Sequence, residues 1–194
     1  MGHREMNPES GDRVSKVEEF HVELVPYDPG WPALYEREAK QVRAILSGLA
    51  VDVQHFGSTA VPGLDAKPNV DILVGVPVGA SLTPEQFDAL AEHSYEFLGE
   101  DGRRPGRIFF RKRGSASFNL SIVPFGSHLW HDNLYIRDYL RTHPVEAGRY
   151  ASVKREAAAA EPHSLLGYQN RKRCFVEKLR DCARAWAASD GSRS

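Results

Sequence analysis

The sequence predicts a protein of the α/β class, more closely α+β, from two observations. Four short runs rich in β-branched and aromatic residues are typical of strands, at positions 51–56, 70–76, 108–112 and 118–123. After Pro124 the spacing of apolar residues becomes that of helices and stays so to about residue 187. We therefore expect a sheet followed by a group of C-terminal helices that pack on it.

The overall composition is that of a soluble globular protein. The 194 residues are 41% hydrophobic and 26% charged, with a formal net charge of -1. So small a net charge gives no general attraction to nucleic acid or to a membrane surface, and we expect neither as a partner. No apolar run is long enough to span a bilayer, and the first residues lack the apolar segment of a signal peptide. We therefore expect a cytoplasmic protein, and the sequence leaves its oligomeric state open.

The chain is predicted to consist of a short arm and one domain. Residues 1–17 are polar and lack hydrophobic periodicity, which predicts a flexible N-terminal arm. Residues 18–190 contain no internal repeat and no linker long enough to separate two domains. A single domain is therefore predicted, with its C-terminal helices within residues 128–187.

The first part of this domain carries signals for strands and a helix. Apolar and polar residues alternate over 20–27, which predicts a strand. Pro32 suits the first turn of a helix, and Gly48 helps to end that helix. Its predicted buried stripe consists of Tyr35, Ala39, Val42, Leu46 and Leu49. The strand at 70–76 is apolar except for Asp71, as in strands that are buried on both faces.

Turn and cap residues divide the second part. Thr83 followed by Pro84 predicts the start of a helix, and residues 99–106 are predicted to form an exposed loop. Residues 113–116 are short enough to connect two strands as a hairpin. Three helices are expected after that hairpin, at about 128–142, 145–160 and 164–187.

The last predicted helix carries its own apolar stripe, made of Tyr168, Phe175, Leu179, Cys182 and Trp186. This stripe must dock on another surface, which leaves open the hypothesis of a structural partner subunit. Cys174 and Cys182 lie on the same helix, about 12 Å apart along its axis, and cannot pair with each other. We expect both to be buried, reduced thiols.

The connection between the strands at 51–56 and 70–76 suits a phosphate site. Gly57 lets backbone N–H groups approach a phosphate closely, and Ser58 adds a hydroxyl donor. Lys67 could add positive charge, and Asp71 is placed as a metal ligand or a base. Without a ligand, the same residues would form a capped turn, a solvated lysine and a buried, hydrogen-bonded carboxylate.

Several cations have two interpretations. Arg107, Arg111 and Lys112 alternate with apolar residues, and would either project toward phosphates or protect an edge strand. Lys154 and Lys172 would join the site only if their helices pack over the open end of the sheet, since most lysines on helices are solvated.

Three other features are expected to be structural. Arg137 and Asp138 are adjacent and are expected to form a local ion pair or a hydrogen bond on the helix surface. His55 is expected to be packed and hydrogen-bonded. His128 and His131 have a possible but weak metal-binding spacing, and solvated or capping roles are favoured.

Taken together, these segments resemble the GrpB family. The resemblance rests first on His55-Phe56-Gly57-Ser58-Thr59-Ala60-Val61-Pro62-Gly63-Leu64, with Lys67-Pro68 and Asp71-Ile72-Leu73. Further similar segments are Val25-Pro26-Tyr27-Asp28-Pro29 with Trp31-Pro32, Phe109-Phe110-Arg111-Lys112, Arg137-Asp138-Tyr139-Leu140 with His143-Pro144, and Tyr150 with Lys154. The resemblance implies a core like that of DNA polymerase β-type nucleotidyltransferases, with a mixed sheet and C-terminal helices packed on it.

The wider nucleotidyltransferase superfamily implies a particular site. A Gly-Ser turn holds the triphosphate, while two carboxylates on the next strand and a third on a later strand bind two metal ions. The Gly-Ser turn and Asp71 match this pattern, but Asn69 replaces the first carboxylate. Asn119 and Ser121 stand where GrpB proteins commonly have histidines, and their strand supplies no third carboxylate.

The leading hypothesis is a nucleotidyltransferase that binds a nucleoside triphosphate with Mg²⁺ and transfers a nucleotidyl group to a small-molecule acceptor. In it, Asp71 is catalytic and holds the metal together with Asn69, and the phosphates are bound by Gly57, Ser58, Thr59, Lys67, Arg111 and Lys112. The alternative is a binding module on the same fold, which holds a nucleotide or another phosphorylated metabolite without chemistry. The incomplete carboxylate set motivates this alternative.

Overall fold

The computed structural model describes residues 21–100 and 106–190. The predicted arm at 1–17 lies outside these residues, as does Phe20, where the first predicted strand begins. Residues 101–105 of the predicted exposed loop lie outside them as well, whereas Gly99 belongs to a strand.

The described residues form one sheet with helices on both of its faces. The elements are α1 (Trp31–Ile45), β1 (Asp52–Phe56), a 3-10 turn (Ser58–Ala60), β2 (Asn69–Val76), α2 (Pro84–Glu92), β3 (Tyr95–Glu100), β4 (Ile108–Lys112), β5 (Ser117–Pro124), α3 (His128–Thr142), α4 (Pro144–Ala160) and α5 (Leu165–Asp190). The strand order is β1-β2-β5-β4-β3, in which β2 and β5 are parallel and the other neighbours are antiparallel. This mixed sheet confirms the predicted fold class.

Local sequence signals explain several element boundaries. The Thr83 hydroxyl accepts a hydrogen bond from the Gln86 backbone N–H, and the Gln86 side chain accepts one from the Thr83 N–H. This capping box starts α2, as the sequence predicts. The Ser127 hydroxyl likewise accepts from the Trp130 N–H and starts α3. The predicted stripe of α1 is buried apart from Leu49, which is half-buried.

Alternation along the strands gives the sheet two different faces. On the α1 face, side chains such as Ile72 and Leu120 pack against α1 and α2 in the main core. On the opposite α3 face, Leu73 and Phe56 pack against Trp130 of α3. Because residues paired across neighbouring strands point to the same side of a sheet, the register assigns every strand residue to one of these faces.

The C-terminal helices anchor the connection between β1 and β2. Val61 and Leu64 in this connection are buried, and they pack against Leu140 of α3, Tyr150 of α4 and Leu179 of α5. The helices therefore hold the region that follows the Gly-Ser bend, which sets the position of the bend relative to α4 and α5.

The predicted strand at 20–27 is wrong for the residues that the structure describes. Residues 21–27 make one isolated bridge, between Val25 and Ala66, and no ladder. Val22 is buried against Ala157 and Tyr168 of the helices, and its N–H donates to the Pro162 carbonyl at 2.7 Å. Val22 therefore packs on the C-terminal helices and Val25 against the main core, without a ladder in the sheet.

The prediction of buried cysteines is also wrong. Cys174 and Cys182 are both exposed, because the buried side of α5 passes through Leu179 and Ala183. Phe175 and Leu179 pack inside the chain against α3 and α4, so this part of the stripe is not left for a partner subunit. In the part of the chain that the structure describes, none of the helices is long and apolar enough to cross a membrane.

Candidate functional site

The bend after β1 places main chain directly against Asp71. Gly57 has φ 74° and ψ -169°, a backbone conformation that is essentially restricted to glycine. A Cβ at Gly57 would overlap Asp71 Oδ2 and would lie 3.1 Å from Asp71 Cγ. The strand register explains this contact, since Phe56 at the end of β1 pairs with Asp71 of β2. The structure therefore brings together the bend and the acid that the sequence singled out.

A buried lysine from α4 reaches Ser58 in this bend. Lys154 is 1% exposed, and its Nζ donates to Ser58 Oγ at 3.0 Å and to the Asp65 carbonyl. The same Nζ lies 4.7 Å from the centroid of the Tyr150 ring. Burial, reinforced by the charge of Lys172, lowers the pKa of Lys154 to about 7. The two acceptors of this ammonium group are neutral, and the charge of the Asp65 carboxylate opposes the fall in its pKa.

Two further lysines complete a lysine cluster, defined here as Lys67, Lys154 and Lys172. Lys172 of α5 lies 4.8 Å from the Tyr168 ring centroid and 6.0 Å from that of Tyr150. Burial acts against its charge, but the two tyrosines outweigh burial and raise the pKa of Lys172. Burial and Lys172 lower the pKa of Lys67, whose Nζ lies 5.6 Å from the Tyr168 ring centroid.

Asp71 faces this cluster and is held by an amide. Its Oδ1 accepts a hydrogen bond from Asn119 Nδ2 at 2.8 Å. Burial raises the pKa of Asp71, while the Asn119 hydrogen bond and the charges of Lys67 and Lys172 oppose the rise. Asn119 Oδ1 in turn accepts from Arg113 Nη2 at 3.2 Å, so the amide connects the acid to an arginine. Asp71 itself is half-buried.

These donors do not fit a two-metal site. Among the described residues, no group of three or more His, Cys, Asp or Glu side chains could hold a metal ion. Asp71 is a lone carboxylate with one oxygen bound by the Asn119 N–H, and the Asn119 oxygen is bound by Arg113. Asn69 lies on the same face of β2 and would add only a neutral oxygen. The lysine cluster adds positive charge, which repels a cation at short range.

Two predicted phosphate ligands lie on opposite faces of the sheet. Arg111 pairs with Asn119 and therefore lies on the α3 face, where its Nη2 is 2.6 Å from Glu96 Oε2. Lys112 lies on the α1 face, and its Nζ is 2.8 Å from Glu38 Oε1 of α1. The assignment of Lys112 to the site is therefore wrong, because consecutive strand residues alternate between faces.

Thr59 supports the bend from inside instead of facing a ligand. Thr59 is 1% exposed, and its Oγ1 lies 3.0 Å from His55 Nε2. His55 stacks on Tyr35 of α1 with ring centroids 4.7 Å apart, so it is packed and hydrogen-bonded as expected. Burial, with the nearby charges of Arg141 and Arg137, lowers the pKa of His55 to about 4 and keeps the ring neutral.

Two arginines of α3 hold the main chain on either side of the bend. Arg137 Nη1 donates to the His55 carbonyl at 2.9 Å, and Arg141 Nε donates to the Ala60 carbonyl at 2.9 Å. Asp138 accepts from Arg137 Nε at 2.7 Å and from Arg141 Nη1 at 3.4 Å. The predicted local pair of Arg137 and Asp138 is confirmed, and its larger role is to fix the position of the bend.

The five-stranded mixed sheet with helices on both faces is a nucleotidyltransferase-like fold. A crystal structure of the Cid1 poly(U) polymerase with Mg and 3'-dATP bound superposes with a TM-score of 0.51 and 13% sequence identity, over 76% of this chain and 49% of that chain. At this identity the similarity shows the fold alone.

The chain belongs to the GrpB family, whose sequence model, described as GrpB protein, matches residues 21–181. A UPF0157 protein of Halalkalibacterium halodurans is 36% identical over 165 residues, which cover 84% of this chain and 83% of the relative. The crystal structure of conserved protein GrpB from Enterococcus faecalis superposes with a TM-score of 0.73 and 32% identity, over 84% of this chain and 99% of that chain. The predicted family is therefore confirmed.

Proposed function

We propose that this protein binds a nucleoside triphosphate through its phosphate groups at the bend between β1 and β2, as a binding module without two-metal chemistry. The observation that carries the proposal is the buried ammonium of Lys154 at Ser58 Oγ. A buried charge is unfavourable unless an opposite charge pairs with it, and the two groups that accept hydrogen bonds from this ammonium, Ser58 Oγ and the Asp65 carbonyl, are neutral. A phosphate oxygen at the bend would supply the opposite charge.

The balance of charge around the bend supports a ligand with several negative charges. Lys67 and Lys172 act on one carboxylate, Asp71, whose own pKa is raised by burial, and Lys154 lies at Ser58 in the same bend. The Ser58 hydroxyl and backbone N–H groups beside Gly57 can donate to phosphate oxygens. Nucleotides are the first class to test, because the Cid1 polymerase of similar fold is described with 3'-dATP. Because the proposed ligand is a nucleoside triphosphate, we also propose that the protein acts in the cytoplasm.

Isothermal titration of the full chain with ATP tests this proposal directly. We expect binding in the presence of EDTA and a similar affinity when Mg²⁺ is added, because the site attracts phosphates through amines. Adenosine, which lacks phosphates, is the control and should not bind. The proposal would be wrong if neither ATP nor tripolyphosphate bound with or without Mg²⁺.

Affinity for ATP should fall as the pH rises from 7 to 9. The pKa of Lys154 is about 7 in the folded protein, below its usual 10.5, so this side chain loses its charge over that range. We expect roughly a tenfold loss of affinity, since a charge-assisted hydrogen bond is replaced by a neutral one. The Lys154→Met variant should show a much flatter profile. A dissociation constant for the natural protein that stayed constant from pH 7 to 9 would contradict this expectation.

Nucleotidyl transfer to a small-molecule acceptor is the second candidate function, favoured by the contact of Asp71 with Gly57. The Asp71→Asn variant separates the two candidates. A binding module should bind ATP equally well or a few-fold more tightly after this change, because a negative charge beside the phosphates is removed. An enzyme should lose turnover of ATP, GTP, CTP or UTP with Mg²⁺ and an acceptor panel.

The same variant should also be at least as stable as the natural protein at neutral pH. The pKa of Asp71 is raised on folding, so ionisation of the acid opposes the folded state increasingly as the pH rises above its ordinary value of 3.8. Urea denaturation at pH 5 and 7 measures this effect.

Turnover that disappears in Asp71→Asn, or a tenfold loss of ATP affinity, would favour the enzyme over the binding module.

A further inference from the structure

A row of arginines follows β4 on the same face of the sheet as Asp71. Arg107, Arg111 and Arg113 are separated by even numbers of residues, so their side chains share one face of an extended strand. The register identifies this face, since Arg111 pairs with Asn119, and Asn119 pairs with Asp71. These three arginines are called the arginine row below.

The guanidinium groups at both ends of the row approach the acid. Arg113 Nη2 donates to Asn119 Oδ1 at 3.2 Å, and Asn119 Nδ2 donates to Asp71 at 2.8 Å. Arg107 folds back along the strand, with its guanidinium carbon 4.6 Å from the Phe109 ring centroid. Its charge reaches Asp71, where it opposes the rise in pKa that burial causes. The row and the lysine cluster therefore flank Asp71 from two sides.

Protection of a sheet edge does not explain these charges. In the described sheet β4 lies between β5 and β3, so it is an internal strand. Its main-chain groups are paired on both sides, and repulsion of another strand is not required there. Glu96 of β3 pairs with Arg111 at 2.6 Å, and Arg113 Nη1 donates to the Lys112 and Phe118 carbonyls at 3.0 and 3.2 Å.

This part of the α3 face is also less covered than the rest. In the described chain, α3 packs on β1 and β5, whereas α3, α4 and α5 make no extensive contact with β3 or β4. Phe109 and Arg107 are half-buried, and Arg113 is exposed. Among the residues that the structure describes, these helices therefore do not pack extensively over the strand that carries Phe109 and Arg111.

We propose that the arginine row binds the carboxylate or phosphate group of a second small molecule, placed beside Asp71. Arginine suits both groups because its planar fork can donate two parallel hydrogen bonds. The Phe109 ring would contact an apolar or planar part of that molecule. The charges of Arg107 and Arg113 both act on the one carboxylate of Asp71, which fits a small ligand better than an extended polymer. This inference rests on the proposed function, in which the bend holds the nucleotide.

Arginine Nε–Hε signals, followed by NMR in the full chain saturated with ATP, test the second site. Titration with inorganic phosphate, and separately with acetate, should shift the signals of Arg107 and Arg113. The R107Q/R113Q variant should weaken the binding of phosphate at least tenfold and leave the dissociation constant of ATP within twofold. Arg149→Gln, which removes an exposed charge from α4, is the matched control and should change neither affinity. The R107K/R113K variant should recover part of the loss.

The outcome also separates this inference from the proposed function. If ATP does not bind, the Lys154→Met variant is titrated with phosphate and acetate in the absence of ATP. The signals of Arg107 and Arg113 should still shift, because the arginine row does not depend on Lys154. The inference is overturned if phosphate and acetate leave both arginine signals unmoved, or if R107Q/R113Q binds phosphate as tightly as the natural protein. Binding of a single-stranded oligonucleotide to the row at least tenfold more tightly than phosphate would overturn the assignment of a small ligand.

Discussion

Replacing Lys154 by methionine is expected to weaken ATP binding 10- to 100-fold. The change removes an ammonium group that lies 3.0 Å from Ser58 Oγ while keeping a side chain of similar length. A hydrogen bond to a charged group contributes about 1.5–3 kcal/mol, which corresponds to this range of affinity. Isothermal titration at pH 6, below the Lys154 pKa of about 7, gives a larger contrast than titration above pH 7.

Arg155→Gln is the matched control for this change. Arg155 is the next residue on α4, is exposed, and pairs with Asp65 at 2.6 Å, so its removal takes one positive charge from the same region. The dissociation constant of ATP should stay within twofold. Equal affinities of Lys154→Met and the natural protein would remove the main support for the phosphate site.

The same variant has a signature in stability. The pKa of Lys154 falls from 10.5, the usual value for a lysine, to about 7 on folding. Between these two pH values the unfolded chain therefore binds more protons than the folded chain. The free energy of unfolding of the natural protein should therefore gain a rising contribution over that range. Lys154→Met should lack this contribution, which urea denaturation at several pH values can measure.

Replacing Gly57 by alanine is expected to lower the free energy of unfolding by about 3 kcal/mol or more. Two effects combine at this position. The conformation at φ 74° and ψ -169° is unfavourable for alanine, and the new Cβ would overlap Asp71 Oδ2. If the variant folds, Asp71 must move, which weakens its hydrogen bond with Asn119 and disturbs the site.

Gly63→Ala separates the two effects. Gly63 lies in the same connection with φ 77°, but nothing lies within 4 Å of an added Cβ. Its substitution should cost only the backbone strain, about 1–2 kcal/mol. In the Gly57→Ala background, removal of the Asp71 side chain by Asp71→Ala should recover part of the lost stability. If Gly57→Ala cost no more than Gly63→Ala in urea denaturation, the contact with Asp71 would not be significant.

The elements with strong local signals agree with their sequence patterns. Thr83 and Pro84 start α2, the connection at 113–116 joins β4 to β5, and the three C-terminal helices occupy their predicted positions within a few residues. Capping, turn and periodicity signals act over a few residues, so they can be identified without tertiary structure. The segment at 21–27 shows the limit, because alternation along a chain does not tell what the buried residues pack against.

The candidate site divides in the same way. Gly57, Ser58 and Asp71 belong to one short connection between neighbouring strands, and their contact follows from the pairing of Phe56 with Asp71. Lys112 was misassigned because its face depends on the register of β4, which the strand pattern alone does not specify. Lys154 lies 96 positions from Ser58, and its one sequence signal was its place with Tyr150 in the family segments.

The sequence by itself determined the family, the class of fold, and the bend of Gly57 and Ser58 followed by Asp71. Only the tertiary structure decided which cations meet that bend, because the packing of α4 and α5 against the connection after β1 carries Lys154 and Lys172 to it. A lysine on a helix is exposed by default, and its burial depends on interactions between segments far apart in the chain. The physical reason is that the packing of distant helices brings the positive charges of Lys154 and Lys172 to the bend, and no local pattern of residues encodes that packing.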